Sequence, residues 1–357
     1  RQEYLNAGAR AVMIGTKATP DFLQGLPADR LIAALDTNKG KIMVEGWTKA
    51  TEAGLFDRIE ELKPFVGGFL VTTIDREGEM NGFDFERAAA IVKAAKGARV
   101  TFAGGAGGGK EGAEQIARLD AMGADVQAGT AIATGELSLA RAFAAPLSSD
   151  RPDGLWPTAV CDEGGRFLGL VYSDMESLES AFETGRGAYK SRSRGLWIKG
   201  ESSGNGQRLL RADLDCDRDC IRFTVHQEGK GFCHLDRRNC FDDGYGIEKL
   251  SRTIAARQKE APEGSYTRRL FSDSGLLASK LREEADELAV ASGPAEASFE
   301  AADVMYFALV KALCEGAKLA DIERELERRS FKVQRRPGNA KPGYDSSDGG
   351  PAWTGIH

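Results

Sequence analysis

The chain has 357 residues, with 48 Lys and Arg against 54 Asp and Glu, a net charge of -6 and a pI near 5.4. That balance argues against nucleic acid as a partner. With 41% hydrophobic and 29% charged residues, the chain reads as a globular protein of two or three domains.

No apolar run is long enough to cross a bilayer, and no secretory signal is visible, so no membrane partner is expected. Six cysteines in this length do not form a secreted disulfide framework. The expected compartment is the cytoplasm, or a plastid if a transit peptide preceded Arg1. The chain opens inside a helical pattern without Met, so an N-terminal segment is expected to be missing.

Residues 1–145 alternate short apolar runs with amphipathic stretches. Strands are predicted at Ala11–Ile14, Leu31–Leu35, Phe69–Ile74, Val100–Ala103 and Val126–Ala128, with helices over Asp84–Ala95 and Gly112–Met122. This order predicts a parallel sheet with crossover helices. Polar or Gly-rich residues follow each strand, as at the active face of a (β/α) barrel.

Residues 146–153 read as a linker, and 146–245 as a compact α+β domain. Its strands are predicted at Thr158–Cys161, Phe167–Tyr172, Leu196–Lys199, Gln207–Asp213 and Ile221–Gln227, with a helix over Glu176–Thr184. Residues 246–342 read as all-helical up to about Arg329, with a break at Ser292-Gly293-Pro294 and a stop at Gly316. The tail, 343–357, reads as disordered.

Two constellations carry chemistry. Metal-competent side chains crowd residues 215–240. Cys216, Cys233 and Cys240 could provide three thiolates to zinc and leave one position open for water, whose pKa would fall toward neutrality. Strand alternation would turn Asp215 and Asp217 away from Cys216, toward a harder ion. His234 is a candidate proton carrier. A closed zinc staple, or unrelated thiols, would leave the same residues without a reaction.

The second constellation is acidic. Glu284 and Glu287, then Glu300 and Asp303, each share one helix face. The Gly-Pro break permits an antiparallel helix pair, on which four carboxylates would converge on magnesium and a polyphosphate. The second pair lies in a mostly apolar run, where acids need a cation. A solvated acidic face is the competing reading.

The run Asp215-Cys216-Asp217-Arg218-Asp219, with Cys233-His234-Leu235-Asp236-Arg237-Arg238-Asn239-Cys240-Phe241, resembles phosphoribosyl-AMP cyclohydrolase. The stretches Gly185–Arg194 and Leu196–Asn205 fit the same family. The resemblance implies zinc on Cys216, Cys233 and Cys240, drawn from two chains of a homodimer, and magnesium near Asp215, Asp217 and Asp219. It also implies hydroxide attack on C6 of the adenine and opening of the N1–C6 bond. Arg192, Arg194 and Lys199 are candidate phosphate contacts. The family usually has Gly at the position of Arg218, and often Glu at that of His226.

The segment with Ser265–Phe271, Lys280–Glu287, Glu300–Asp303 and Lys332–Pro342 resembles phosphoribosyl-ATP pyrophosphatase of the all-α, MazG-like class. That implies hydrolysis between the α and β phosphates, with magnesium on Glu284, Glu287, Glu300 and Asp303. Glu284 or Glu287 would assist the water, and Lys280, Arg268 and Arg269 would neutralise phosphate. The two activities are consecutive in histidine biosynthesis, and their order resembles the fused enzymes of fungi, which can continue into histidinol dehydrogenase.

Leu35–Lys41 with Val44–Trp47 resembles the next enzyme of that pathway, the phosphoribosylformimino-aminoimidazole carboxamide ribotide isomerase, a (β/α)8 barrel. Asp75–Gly78, Ala103–Gly105 and Ala128–Thr130 fit it too. Asp36 would be one of two acid/base carboxylates, and Gly104, Gly105, Gly129 and Thr130 would line a phosphate site. By strand count the chain starts near the fourth strand, so a partial barrel with little isomerase activity is expected. Two other readings stand beside these: a general nucleotide pyrophosphatase with a structural zinc domain, and a non-enzymatic metal-stabilised scaffold.

Overall fold

The computed structural model describes residues 2–39, 41–74, 82–241 and 246–332. The Asp75–Gly78 motif, the stretch 333–342 and the tail 343–357 lie outside the described residues.

The N-terminal region is built from α1 (Gln2–Asn6), β1 (Val12–Ile14), α2 (Pro20–Leu23), β2 (Leu31–Asn38), β3 (Lys41–Val44), β4 (Lys49–Gly54), α3 (Leu55–Leu62), β5 (Gly68–Thr73), α4 (Phe85–Ala95), β6 (Arg99–Ala103), α5 (Gly109–Ala121), β7 (Ala124–Gln127), α6 (Thr130–Ala133) and α7 (Leu139–Ala144). Strands β1, β2, β5, β6 and β7 are parallel neighbours in that order. Among the described residues β7 pairs with β6 alone and β1 with β2 alone, so this barrel-like sheet is open.

The parallel strands form because β-branched and aromatic residues such as Phe69, Val71, Val100 and Phe102 bury together with Leu31 and Leu35. Helix α4 lays Ala88, Ile91 and Ala95 on them, one helical face at a spacing of three and four. Its N-terminus is capped by Asp84, which accepts from the Arg87 amide at 3.0 Å.

The β3–β4 hairpin was not anticipated. It pairs antiparallel to the end of β2. Its turn takes Glu45, Gly46 and Trp47 at positive φ, which no apolar alternation announces.

The middle domain contains β8 (Trp156–Cys161), β9 (Phe167–Ser173), α8 (Met175–Thr184), β10 (Ala188–Ser191), β11 (Gly195–Ile198), β12 (Gln207–Leu214) and β13 (Ile221–Gln227). One sheet runs β12-β13-β8-β9, and β10-β11 forms a separate ribbon. Helix α8 starts on a reciprocal cap between Asp174 and Ser177 and ends at Gly185. Val160, Tyr189, Phe223 and Val225 build the core. Helix α7 contributes Ala140 and Ala144 to that same core, so the N-terminal region and the middle domain share buried surface.

The C-terminal domain is all helical: α9 (Gly246–Glu260), α10 (Tyr266–Ser272), α11 (Ser274–Val290), α12 (Pro294–Cys314) and α13 (Leu319–Ser330). Pro294 opens α12, and Gly316 follows its end at positive φ. Helices α11 and α12 pack side by side over Leu277, Phe307 and Val310. Arg166 of the middle domain reaches Glu323 of α13 at 2.5 Å. No helix of the described residues is long and apolar enough to cross a membrane.

Candidate functional sites

The thiol site stands on the segment after β13. Cys233 is buried. Its amide donates to the Arg237 carbonyl at 3.0 Å, and the Cys240 amide donates to the Leu168 carbonyl at 2.9 Å. Partial burial, then the adjacent Cys233 thiol with which it hydrogen-bonds, pushes the Cys240 thiol up. Gly169 of β9 is required here. A Cβ on it would lie 2.4 Å from the Phe232 ring and 3.0 Å from Cys240 Sγ.

Lys199 closes the site. It is buried, with Nζ 5.6 Å from the Phe232 ring and 5.7 Å from that of Trp197. Burial holds its ammonium below the ordinary range, against the pull of Cys240 and Cys233. His234 is exposed, with Nδ1 4.0 Å from Cys233 Sγ. Arg192 and Arg194 stand exposed at the β10–β11 turn, over Tyr172 and Trp197 respectively. His226 pairs with Glu163 on the outer side of β13.

Cys216 does not join the pair in one chain: the three sulfurs do not converge to metal-ligand distance among the described residues. It lies in the loop between β12 and β13. The strand alternation predicted for residues 215–217 is therefore corrected. The chain leaves the sheet at Leu214, because Arg218 takes φ +64 and Asp215 turns back on its own backbone. Asp215 accepts from the amides of Asp219 at 3.1 Å and Cys220 at 3.2 Å.

That loop brings Asp215, Asp217 and Asp219 within 4.8 Å of one another. Burial acts to raise Asp215, but the amides of Cys220 and Asp219 hold it below the ordinary range. The hydrogen bond with Asp215, then the charge of Asp217, pushes Asp219 up. The Arg218 guanidinium donates to Asp120 of α5 and to the Asp215 carbonyl.

The acidic site stands on α11 and α12. Glu284, Glu287 and Glu300 converge within 4.8 Å. Asp303 is not in that set, which corrects the expected group of four; it is close enough only to add its charge to that on Glu300. Glu284 is buried, and Lys280 Nζ bridges it at 2.7 Å and Glu283 at 2.8 Å. These two carboxylates, Glu283 first, push the Lys280 ammonium up. Burial first, then Glu287, Glu284 and Asp303, raises the Glu300 carboxyl. Arg268 and Arg269 are exposed on α10, which Thr267 ties to α12 through Tyr306 at 2.9 Å.

The donors fit the expected metals. Glu300 Oε2 is buried without a hydrogen-bond partner, among carboxylates that repel one another. A hard divalent cation would satisfy it. The Asp215 loop is a second all-oxygen set. Cys233 and Cys240 are two soft donors side by side, the start of a zinc set that lacks its third thiol in a single chain.

In the N-terminal region Asp36 accepts from the Trp47 indole at 2.9 Å. Gly104 lines a cavity of about 90 Å³ with Thr37, Thr73 and Arg87. Gly105 follows it at φ +116, and its carbonyl accepts from the Gly82 amide at 2.8 Å. Gly129 and Thr130 stand exposed at the start of α6.

Residue-level reading missed the buried chain that underlies the thiol site. Tyr189 donates to Gln207 at 2.6 Å, and Gln207 to Gln227 at 2.7 Å. It also missed buried Asp162, which fixes Arg238 of the cysteine segment at 3.0 Å. Glutamines on strands carry no local signal of this kind; only the pairing of β12 with β13 joins them.

Two unlike sites thus stand on two folds, behind a barrel-like region. Three family profiles match in order: "Histidine biosynthesis protein" over residues 1–138, "Phosphoribosyl-AMP cyclohydrolase" over 169–242 and "Phosphoribosyl-ATP pyrophosphohydrolase" over 247–330. The chain is 36% identical over 199 residues to the histidine biosynthesis bifunctional protein HisIE of Shewanella oneidensis, covering 94% of that protein and 53% of this one. It therefore belongs to the bifunctional cyclohydrolase and pyrophosphohydrolase family of histidine biosynthesis.

The chain is also 51% identical over 215 residues to the histidine biosynthesis trifunctional protein of Neurospora crassa, and 50% over 206 to the bifunctional protein his7 of Schizosaccharomyces pombe. These stretches cover 60% and 58% of this chain. They span only 25% and 49% of those relatives.

Proposed function

We propose that this chain hydrolyses phosphoribosyl-ATP to phosphoribosyl-AMP and pyrophosphate on its helical domain, then opens the adenine ring at N1–C6 on its α+β domain. The observation that carries the reading is the buried, unpartnered Glu300 oxygen inside a carboxylate cluster, in a chain that also pairs two thiols beside a buried lysine.

On the helical domain, Glu284, Glu287 and Glu300 would hold magnesium, with Asp303 adding charge. Glu284 and Glu287 orient the attacking water. Lys280, Arg268 and Arg269 neutralise the triphosphate. On the α+β domain, Cys233 and Cys240 with Cys216 of a second copy would hold zinc, so the working unit is a homodimer. Asp215, Asp217 and Asp219 would hold magnesium there. Bound zinc supplies a water of lowered pKa, and bound magnesium offsets phosphate charge. His234 carries the proton, while Lys199, Arg192 and Arg194 receive the phosphates. The cytoplasm is the compartment proposed for these reactions. From the barrel-like region we expect at most a remnant isomerase function; its Asp36 accepts from the Trp47 indole at 2.9 Å.

The test is turnover of phosphoribosyl-ATP by the full chain, following pyrophosphate and ring opening separately, with and without a chelator. Both should appear in sequence and both should stop when metal is stripped. Pyrophosphate from ordinary nucleotides alone would favour a general pyrophosphatase, and zinc binding without turnover a scaffold.

A further inference from the structure

The barrel-like region touches the carboxylate loop of the α+β domain through one well-formed ion pair. Asp120 lies in the last turn of α5, where a carboxylate meets the negative end of the helix dipole. Arg218 offsets that placement. Its Nε lies 3.0 and 3.2 Å from the two Asp120 oxygens, and Nη2 lies 2.8 Å from one of them. Through Nη1 the same guanidinium donates to the Asp215 carbonyl. The Arg218 carbonyl accepts from the Ser148 amide at 2.8 Å. Arg218 adopts φ +64, where a side chain is strained and glycine is not. A strained residue persists where its surroundings over-determine it, and here they do so from three directions.

We propose that the barrel-like region is a brace for this loop, with Asp120 as a positioning residue that acts through Arg218. The brace does two things. It fixes the loop on which Asp215, Asp217 and Asp219 converge. It also directs the Arg218 hydrogen bonds to Asp120 and to the Asp215 carbonyl rather than to the three loop carboxylates, which leaves their oxygens to a metal. The barrel-like region thus has a structural task in the cyclohydrolase. The second of these effects rests on the cation reading proposed above; the first does not.

Hydrogen exchange in the full, metal-free chain tests the brace directly. The reporters are the amides of Asp219 and Cys220, which donate to Asp215. Asp120→Ala should speed their exchange by at least about tenfold, the scale of a lost charge-assisted pair. Amides of α11 and α12 should not change, which shows that the chain remains folded. Asp120→Asn, which keeps the shape and loses the charge, gives the same comparison if the alanine variant fails to fold.

The swapped pair Asp120→Arg with Arg218→Asp should recover most of the protection. Asp tolerates the left-handed backbone, and Arg suits a helix C-terminus. Recovery would be incomplete, because the bond to the Asp215 carbonyl is not remade. Unchanged exchange in Asp120→Ala, or a swap no better than the single change, overturns the brace. A parallel Mn2+ titration of Asp120→Ala should show weaker binding at the loop. If Mn2+ avoids the loop even in the unaltered chain, the cation reading fails and the exchange result alone decides the brace.

Discussion

At the scale of single residues, the thiol site depends on a side chain that is absent. Gly169 gives the Phe232 ring and the Cys240 sulfur the space a Cβ would fill. Gly169→Ala should cost about 1–3 kcal/mol by overpacking. It should also lower zinc content, since the displaced sulfur is a proposed ligand. Thermal unfolding and metal analysis check both, and a fully loaded, equally stable variant would contradict the geometry. Cys233 and Cys240 stood out in the sequence through the residues around them, not through their spacing, and the structure sets the two thiols beside each other. Gly169 did not stand out, because nothing in its own strand says which loop returns to it. The same holds for Arg218, whose partner Asp120 is 98 residues away.

At the scale of elements, the apolar strand runs were read closely, with β13 lying at Ile221–Gln227 as expected, while the short helices α1, α2, α3, α6 and α7 were not named. The break at Gly293-Pro294 and the periodic acids placed α11 and α12 side by side, as the structure has them. Residues 215–217 were given strand alternation because apolar and polar spacing cannot see the positive φ at Arg218. The β3–β4 hairpin and β10 were missed because these strands are only four to six residues long and are bounded by glycine.

The acidic helix pair also carries a pH signature. The Glu300 carboxyl sits above its ordinary 4.5 because burial, then Glu287 and Glu284, disfavour its charge. The native state therefore holds this proton longer than the unfolded chain does. The contribution is favourable below the ordinary value and is lost as pH rises through the raised one. Metal-free Glu300→Gln should gain stability relative to the parent chain over that rise. Magnesium should reverse the difference by stabilising the parent. Chemical unfolding of both proteins, followed upward from the ordinary carboxylate value, measures it. A difference independent of pH and magnesium would contradict a strained carboxylate cluster.

At the scale of the molecule, the chain joins two catalytic folds and a barrel-like region that shares core with one of them through Ala140 and Ala144. The order of the three regions was legible because each carries dense local motifs. Their packing was not: α7, Asp120–Arg218 and Arg166–Glu323 join residues distant in sequence. The central claim is that two independent metal sites perform two successive hydrolyses. The most direct measurement is a stepwise assay of Cys233→Ser and Glu284→Gln in the full chain, supplied with phosphoribosyl-ATP or phosphoribosyl-AMP. Cys233→Ser should release pyrophosphate and stop before ring opening. Glu284→Gln should fail on the triphosphate and still open the ring of the monophosphate. Loss of both steps in either folded variant would contradict the account.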